Sequence, residues 1–125
     1  MNAHEIINDL SRLNNSRCLT DEEGILYGIC RHTINCFNPE DGVLVCKVSL
    51  ILLDIHELVE LMRKYGIKTF YKRNIDNYGE FRECLMLQYA GLIPKGYAQI
   101  KYNDTYKKNF CRLKPMPIPV AVFEL

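Results

Sequence analysis

The apolar residues of this chain recur every three or four positions in four stretches, the spacing of one face of an α-helix. Each stretch opens on a residue that caps helices, namely Asn2, Thr20, Asp54 and Asp76. Thr20 begins the sequence Thr-Asp-Glu-Glu, a capping box in which the threonine oxygen and the glutamate carboxylate each accept a backbone N–H. The pattern predicts helices near residues 3–13, 21–36, 54–65 and 77–90. In the fourth helix, the predicted buried residues are Phe81, Cys84, Leu85, Gln88 and Tyr89.

Short runs of β-branched and aromatic residues predict the strands. Residues 43–48 follow a turn sequence, and residues 67–72 follow the third helix. Alternating residues on both sides of Asn103-Asp104 predict a β-hairpin near 97–113. After three closely spaced prolines, residues 120–124 are expected to form a final edge strand.

These elements predict an α+β fold, in which three or four helices pack on one side of a small, mainly antiparallel sheet. The second half of the chain would supply most of the strands. A chain of 125 residues fits one domain, residues 1–125, and can bury about two-thirds of its unfolded surface. No internal repeat, low-complexity tract or long linker divides it.

Charge is divided between the two halves of the chain. Residues 1–60 contain four basic and ten acidic side chains, a net charge of −6, whereas residues 61–125 contain twelve and five, a net charge of +7. Seven of the eight tyrosines and four of the five phenylalanines also lie after residue 60. Such asymmetry is a compositional sign of a macromolecular partner.

The basic and aromatic residues interleave in the segment 67–73 and in the predicted hairpin. Cations for phosphates and aromatic faces for bases are what single-stranded nucleic-acid binding requires. A helix followed by a basic hairpin is also the element order of a winged DNA-binding domain. The candidate residues for contacting nucleic acid or another partner are Lys68, Lys72, Arg73, Lys101, Tyr102, Tyr106, Lys107, Lys108 and Arg112.

A structural interpretation covers most of the same residues. Antiparallel strands alternate inward aromatic residues with outward lysines, and lysine protects edge strands from unwanted pairing. This interpretation leaves the clustering of acids in the first half unexplained. Either an acidic helical layer pairs with a basic sheet inside the molecule, or a partner contacts both.

Two glycines interrupt the second predicted helix. Gly24 and Gly28 each cost about 1 kcal/mol relative to alanine inside a helix, so some contact should compensate. Close packing of another element of the fold is the first explanation. A contact surface for a partner or a second subunit is the alternative.

No local motif indicates catalysis, a metal or a cofactor. Cys30 and His32 point about 200° apart on a helix, and only His32 and Cys36 share a face, so we predict core cysteines beside a solvated histidine. His56 lies between Asp54 and Glu57 without the sequence frame of a known triad. Phosphate-binding glycine loops are missing from the sequence, and we expect no cofactor.

The cysteines and the first residues of the chain indicate the cellular compartment in which the protein is expected. The first nine residues carry two acids and no basic side chain, unlike a secretory signal, and no apolar stretch approaches the ~20 residues that span a bilayer. The six cysteines sit mostly among apolar neighbours, where a reduced thiol behaves as a small hydrophobe. We expect reduced cysteines, a cytoplasmic location and no membrane partner.

Three function hypotheses follow. The first is a small non-enzymatic accessory protein that binds a macromolecule, above all a protein, as a regulator, inhibitor or adaptor of phage or mobile-element type. The second is a nucleic-acid-binding protein that uses the basic, aromatic-rich second half. The third is an enzyme whose residues are assembled only by the fold.

Overall fold

The computed structural model describes residues 1–73, 77–110 and 116–125, and in the fourth helix it describes side chains from Arg82 onward. Its elements, in chain order, are α1 (Ala3–Ser16), α2 (Asp21–Cys36), β1 (Val43–Cys46), α3 (Ile55–Lys64), β2 (Thr69–Arg73), α4 (Asn77–Tyr89), β3 (Ile93–Ile100), α5 (Asp104–Phe110) and β4 (Ile118–Glu124). The four helices predicted from the sequence are all present, and α5 is an addition.

The helix starts follow the local capping signals. Thr20 Oγ1 accepts from Glu23 N at 3.2 Å, and Glu23 Oε1 accepts from Thr20 N at 2.9 Å, which completes the predicted capping box of α2. Asn2 forms the same reciprocal pair at α1, and Asp54 caps α3. Asp76, the predicted cap of α4, lies outside the described residues.

The strands form one mixed sheet in the order β1-β2-β4-β3. β1 pairs with β2 in parallel, whereas β4 pairs in antiparallel fashion with both β2 and β3. The predicted α+β class and the mainly antiparallel sheet are confirmed. The prediction of β4 as an edge strand was wrong, because long-range pairing places it between β2 and β3.

The predicted hairpin near 97–113 was also wrong. Its first half is β3, which pairs with β4, and its second half contains the helix α5. Asn103 Oδ1 accepts from Tyr106 N at 2.7 Å, which caps α5. Asparagine favours turns and helix N-caps for the same reason, since its short side chain accepts backbone N–H groups.

The two faces of the sheet bury different clusters. The core face carries Leu44, Phe70 and Phe123, which join buried residues of α1 to α4 in one hydrophobic cluster. The second face carries Val45 and Val120, which pack with Phe37 and with Tyr106 of α5 in a smaller cluster. The alternation of side chains along each strand separates the two environments.

Helix α4 buries a different face from the predicted one. Glu83 and Leu87 are buried, whereas Leu85 is exposed and Tyr89 is 83% exposed. Cys84 is half-buried, and the side chain of Phe81 lies outside the described part. The spacing of apolar residues cannot indicate a buried glutamate, so the prediction of the buried face of this helix was wrong.

Helix α2 runs along the outer edge of β1. Thr33 Oγ1 accepts from Val45 N at 3.0 Å and donates to Ile29 O at 2.8 Å. One threonine therefore satisfies a backbone group of the edge strand and protects it from pairing with another chain. Among the residues described, none of the helices is long and apolar enough to cross a membrane.

Candidate functional site

The adjacent cations Lys72 and Arg73 of β2 point to opposite faces of the sheet. Lys72 is fully buried on the core face, and its Nζ lies 3.1 Å from Glu83 Oε2 of α4. The other oxygen of Glu83 accepts from Leu50 N. Lys72 therefore belongs to the core and cannot contact nucleic acid, which corrects its place among the surface candidates.

Arg73 reaches the second face, where it meets an imidazole and a phenol. Its Nη1 lies 3.5 Å from His32 Nε2, and its Nη2 donates to the Tyr102 hydroxyl at 3.4 Å. The guanidinium carbon also lies 6.0 Å from the centroid of the Tyr102 ring, within cation–π range. Within the described residues, Arg73 has no carboxylate partner.

His32 is buried rather than solvated, which corrects the sequence prediction. Because a guanidinium can only donate, a hydrogen bond from Arg73 Nη1 requires His32 Nε2 to accept, with the ring proton on Nδ1, which lies 3.5 Å from Cys36 Sγ. Burial, and then the positive charges of Lys47 and Arg73, lower the pKa of His32 to about 4. At neutral pH the imidazole is uncharged and holds Arg73 in place.

A row of four aromatic rings, which we call the aromatic stack, extends from the second face to the surface, and its last contact is tilted rather than stacked. Phe37 lies 5.6 Å from Tyr102, Tyr102 lies 4.3 Å from Tyr106, and Tyr106 lies 5.0 Å from Phe110, measured between ring centroids. His32 meets Phe37 edge to face at 5.6 Å. Phe37 is buried at one end, and Phe110 is 70% exposed at the other.

Beside the exposed end of the stack is an open cleft of about 630 Å³, which we call the α5 cleft. It is lined by His32, Asn35, Cys36, Lys47, Thr105, Tyr106 and Phe110. The lining contains one permanent cation, neutral polar groups and two aromatic rings, and it contains no carboxylate. Such a composition suits an anionic ligand that carries a planar group.

The remaining candidates are divided between this region and other places. Lys101 directly follows β3, and Lys107 and Lys108 lie on α5, where Lys107 pairs with Asp104 at 3.3 Å. Lys68 precedes β2 at the end opposite Arg73, about 16 Å away at the rise of a strand. Arg112 lies outside the described residues. The fold therefore places Arg73 beside Tyr102 and stacks Tyr102 on Tyr106, and Lys107 and Lys108 lie on the same helix as Tyr106. Lys101 lines a second pocket, which also contains Phe37 and Glu40.

The pair of Cys36 and His32 lacks the electrostatics of a catalytic dyad. A nucleophilic cysteine needs a lowered pKa and a neighbouring imidazolium. Here burial raises the pKa of the Cys36 thiol and keeps His32 neutral. Across the part of the chain that is described, no three histidine, cysteine or acidic side chains converge as metal ligands would.

Gly24 and Gly28 lie on an exposed face of α2. A Cβ added at either position would meet no heavy atom within 4 Å. Close packing inside the described fold therefore does not explain these glycines. The alternative, a surface contacted by another molecule, stays a prediction.

Sequence reasoning missed Phe37 and Lys47 in this region, and it considered His32 only as a metal ligand or a solvated side chain. Lys47 lies in the acidic half, and Phe37 is the one phenylalanine before residue 60, so the division of charge and aromatics directed attention elsewhere. Lys47 follows β1 and Phe37 follows α2. Only the approach of the end of α2 to α5 brings these residues to the aromatic stack.

Comparisons of this chain with protein-family models, with curated proteins and with solved structures found no match.

Proposed function

We propose that this protein is a non-catalytic binding protein whose aromatic stack and surrounding cations bind nucleic acid. The observation that carries the proposal is the coincidence of stacked rings that end at an exposed Phe110 with a cleft that contains Lys47 and no acid. Aromatic faces and a positive surface are the two requirements for sequence-tolerant nucleic-acid binding.

The ion pairs of the molecule support a charged partner. Apart from Arg63 with Glu60 in α3, no ion pair among the described residues joins an acid of the first half to a cation of the second. Internal pairing therefore does not neutralise the basic half. Lys68, Arg73, Lys101 and Lys108 have no carboxylate within ion-pair distance in the described structure.

The test is binding of a fluorescent single-stranded oligonucleotide, measured by anisotropy over a salt series that begins at about 50 mM. We expect the logarithm of the affinity to fall linearly with the logarithm of salt concentration, because phosphate contacts release counterions. The double variant Lys101→Glu/Lys108→Glu should lose at least about tenfold in affinity.

The matched control is the double variant Lys64→Glu/Lys68→Glu, which makes the same change of charge away from α5. Its loss of affinity should be several times smaller. Equal losses in the two variants would show non-specific attraction to a positive protein, and absence of binding at the lowest salt concentration would overturn the proposal.

A second candidate is binding of a protein partner as a regulator, inhibitor or adaptor. The observation that favours it is β3, an edge strand that exposes Ile93 and leaves Tyr97 77% exposed. An open strand edge with apolar side chains can accept an extended segment of another protein. A protein captured from nuclease-treated host extract, lost with Tyr97→Asp but retained with Lys101→Glu/Lys108→Glu, would favour this function.

A further inference from the structure

We propose that the α5 cleft is a subsite for one nucleotide of the bound strand, with the base on the outer face of Phe110 and a phosphate beside Lys47. This inference rests on the proposed function and makes it specific. It names two contact residues, Phe110 and Lys47, and Lys47 lies in the acidic half, where the division of charge indicated no contact.

Phe110 is the most exposed ring of the aromatic stack. Tyr106 contacts it in a tilted arrangement, with the ring centroids 5.0 Å apart and an interplanar angle of 35°, and Phe110 remains 70% exposed. Behind it, Tyr106 stacks on Tyr102, which stacks on the buried Phe37. A nucleic-acid base would continue the stack by one ring, and any of the four bases could do so.

Lys47 supplies the charge inside the cleft. Its side chain is exposed, and it has no carboxylate within ion-pair distance among the residues described. It is also close enough to His32 for its charge to lower the pKa of the imidazole. A phosphate bound here would contact Lys47 and the neutral polar groups that line the cleft.

The cleft has the size and the neutral polar groups that a nucleotide requires. Its volume of about 630 Å³ falls within the ~300–1,000 Å³ of typical small-molecule sites. Asn35 and Thr105, exposed at its rim, provide an amide and a hydroxyl that can bond to a sugar or to a base edge. With no carboxylate in the lining, nothing there repels a phosphate.

The experiment uses a single-stranded oligonucleotide that contains 2-aminopurine, whose fluorescence is quenched when it stacks on an aromatic ring. With the unaltered protein we expect quenching together with binding. Phe110→Ala should lose about tenfold in affinity and most of the quenching, whereas Phe110→Trp should retain both. Lys47→Ala should lower the slope of the salt dependence by about 0.7, the value for one phosphate contact on a single strand.

Two control variants match these changes elsewhere on the surface. Tyr89→Ala removes an aromatic ring that is 83% exposed on α4, and Lys68→Ala removes an exposed lysine. If Phe110→Ala and Lys47→Ala bind as well as these controls while the unaltered protein binds, the subsite is wrong. The proposed function then stands only if Lys101→Glu/Lys108→Glu loses affinity. If the unaltered protein binds no oligonucleotide, both fall. Equal binding of a duplex of the same length, with no effect of Phe110→Ala, would also overturn the subsite.

Discussion

Lys72 and Arg73 are neighbours in β2, carry the same charge and occupy opposite environments. Lys72 lies on the core face beside Glu83, without contact to solvent. Arg73 lies on the second face beside neutral His32 and Tyr102, without a carboxylate among the described residues. A buried cation depends on its counter-charge, so removing the acid alone is costly, whereas a cation beside neutral groups has no acid that competes with an anionic ligand.

The largest expected effect on stability comes from the buried pair of Lys72 and Glu83. Glu83→Ala leaves the Lys72 ammonium buried without its counter-charge and should lower the free energy of unfolding by about 3–5 kcal/mol. Urea denaturation monitored by circular dichroism measures the loss. The double variant Lys72→Met/Glu83→Leu removes both charges and should recover part of the stability, because the Leu50 N–H still loses its acceptor. A loss below about 1 kcal/mol in the single variant would contradict a buried pair.

The next effect is a loss of stability at acidic pH, caused by the lowered pKa of His32. Its pKa is about 4 in the folded protein, below the ordinary value of 6.5, so between these values the unfolded chain binds a proton that the folded protein does not. Stability should therefore be unaffected by this group above pH 6.5 and should fall as pH decreases towards 4, by up to about 3 kcal/mol.

Urea denaturation at several pH values checks this dependence, with His32→Gln as the variant that cannot titrate. The loss between pH 6.5 and 4 should be much smaller in His32→Gln. The lowered pKa of Glu23, about 2 in its pair with Arg17, contributes a separate loss of stability only below about pH 4.5. The same pH slope in both proteins above that value would contradict a buried, neutral His32.

The smallest expected effect on stability is on the second face. Arg73→Met should change the free energy of unfolding by less than about 1 kcal/mol, because its contacts with His32 and Tyr102 are long and partly exposed. Lys72→Met, one position away, should be clearly more destabilising. The two variants should rank in the opposite order in oligonucleotide binding. Arg73→Met should lower the slope of log affinity against log salt concentration, whereas Lys72→Met should leave this slope unchanged once the fraction of folded protein is taken into account.

Local signals in the sequence predicted the helices well because the causes are local. Thr20 and Glu23 satisfy each other's backbone N–H groups whatever the rest of the chain does, and α2 begins and ends where the sequence predicts. Asn103 shows the limit of this reasoning. Its side chain accepts a backbone N–H in a turn as readily as at a helix N-cap, so the sequence predicts a turn where the structure has a helix. The choice between the two depends on where residues 104–110 pack.

The candidate site was predicted only in part. The predicted residues Arg73, Tyr102 and Tyr106 lie in contact on the second face, whereas Lys72, predicted as a contact residue, is buried in the core. Alternation along β2 requires Lys72 and Arg73 to face opposite ways, yet it does not say which face is the core. That was decided by Glu83, 11 positions further along the chain, which meets Lys72 only when α4 packs on the sheet.

By itself, the sequence determined the α+β class, the positions of α1 to α3 and the basic, aromatic character of the second half, because capping, periodicity and composition act within a few residues. Tertiary structure alone decided that β4 is a central strand and that Lys72 is buried. It also placed Lys47, His32 and Phe37 beside Tyr102, Tyr106 and Phe110. These outcomes depend on contacts between distant segments, whose energies no short stretch of sequence contains.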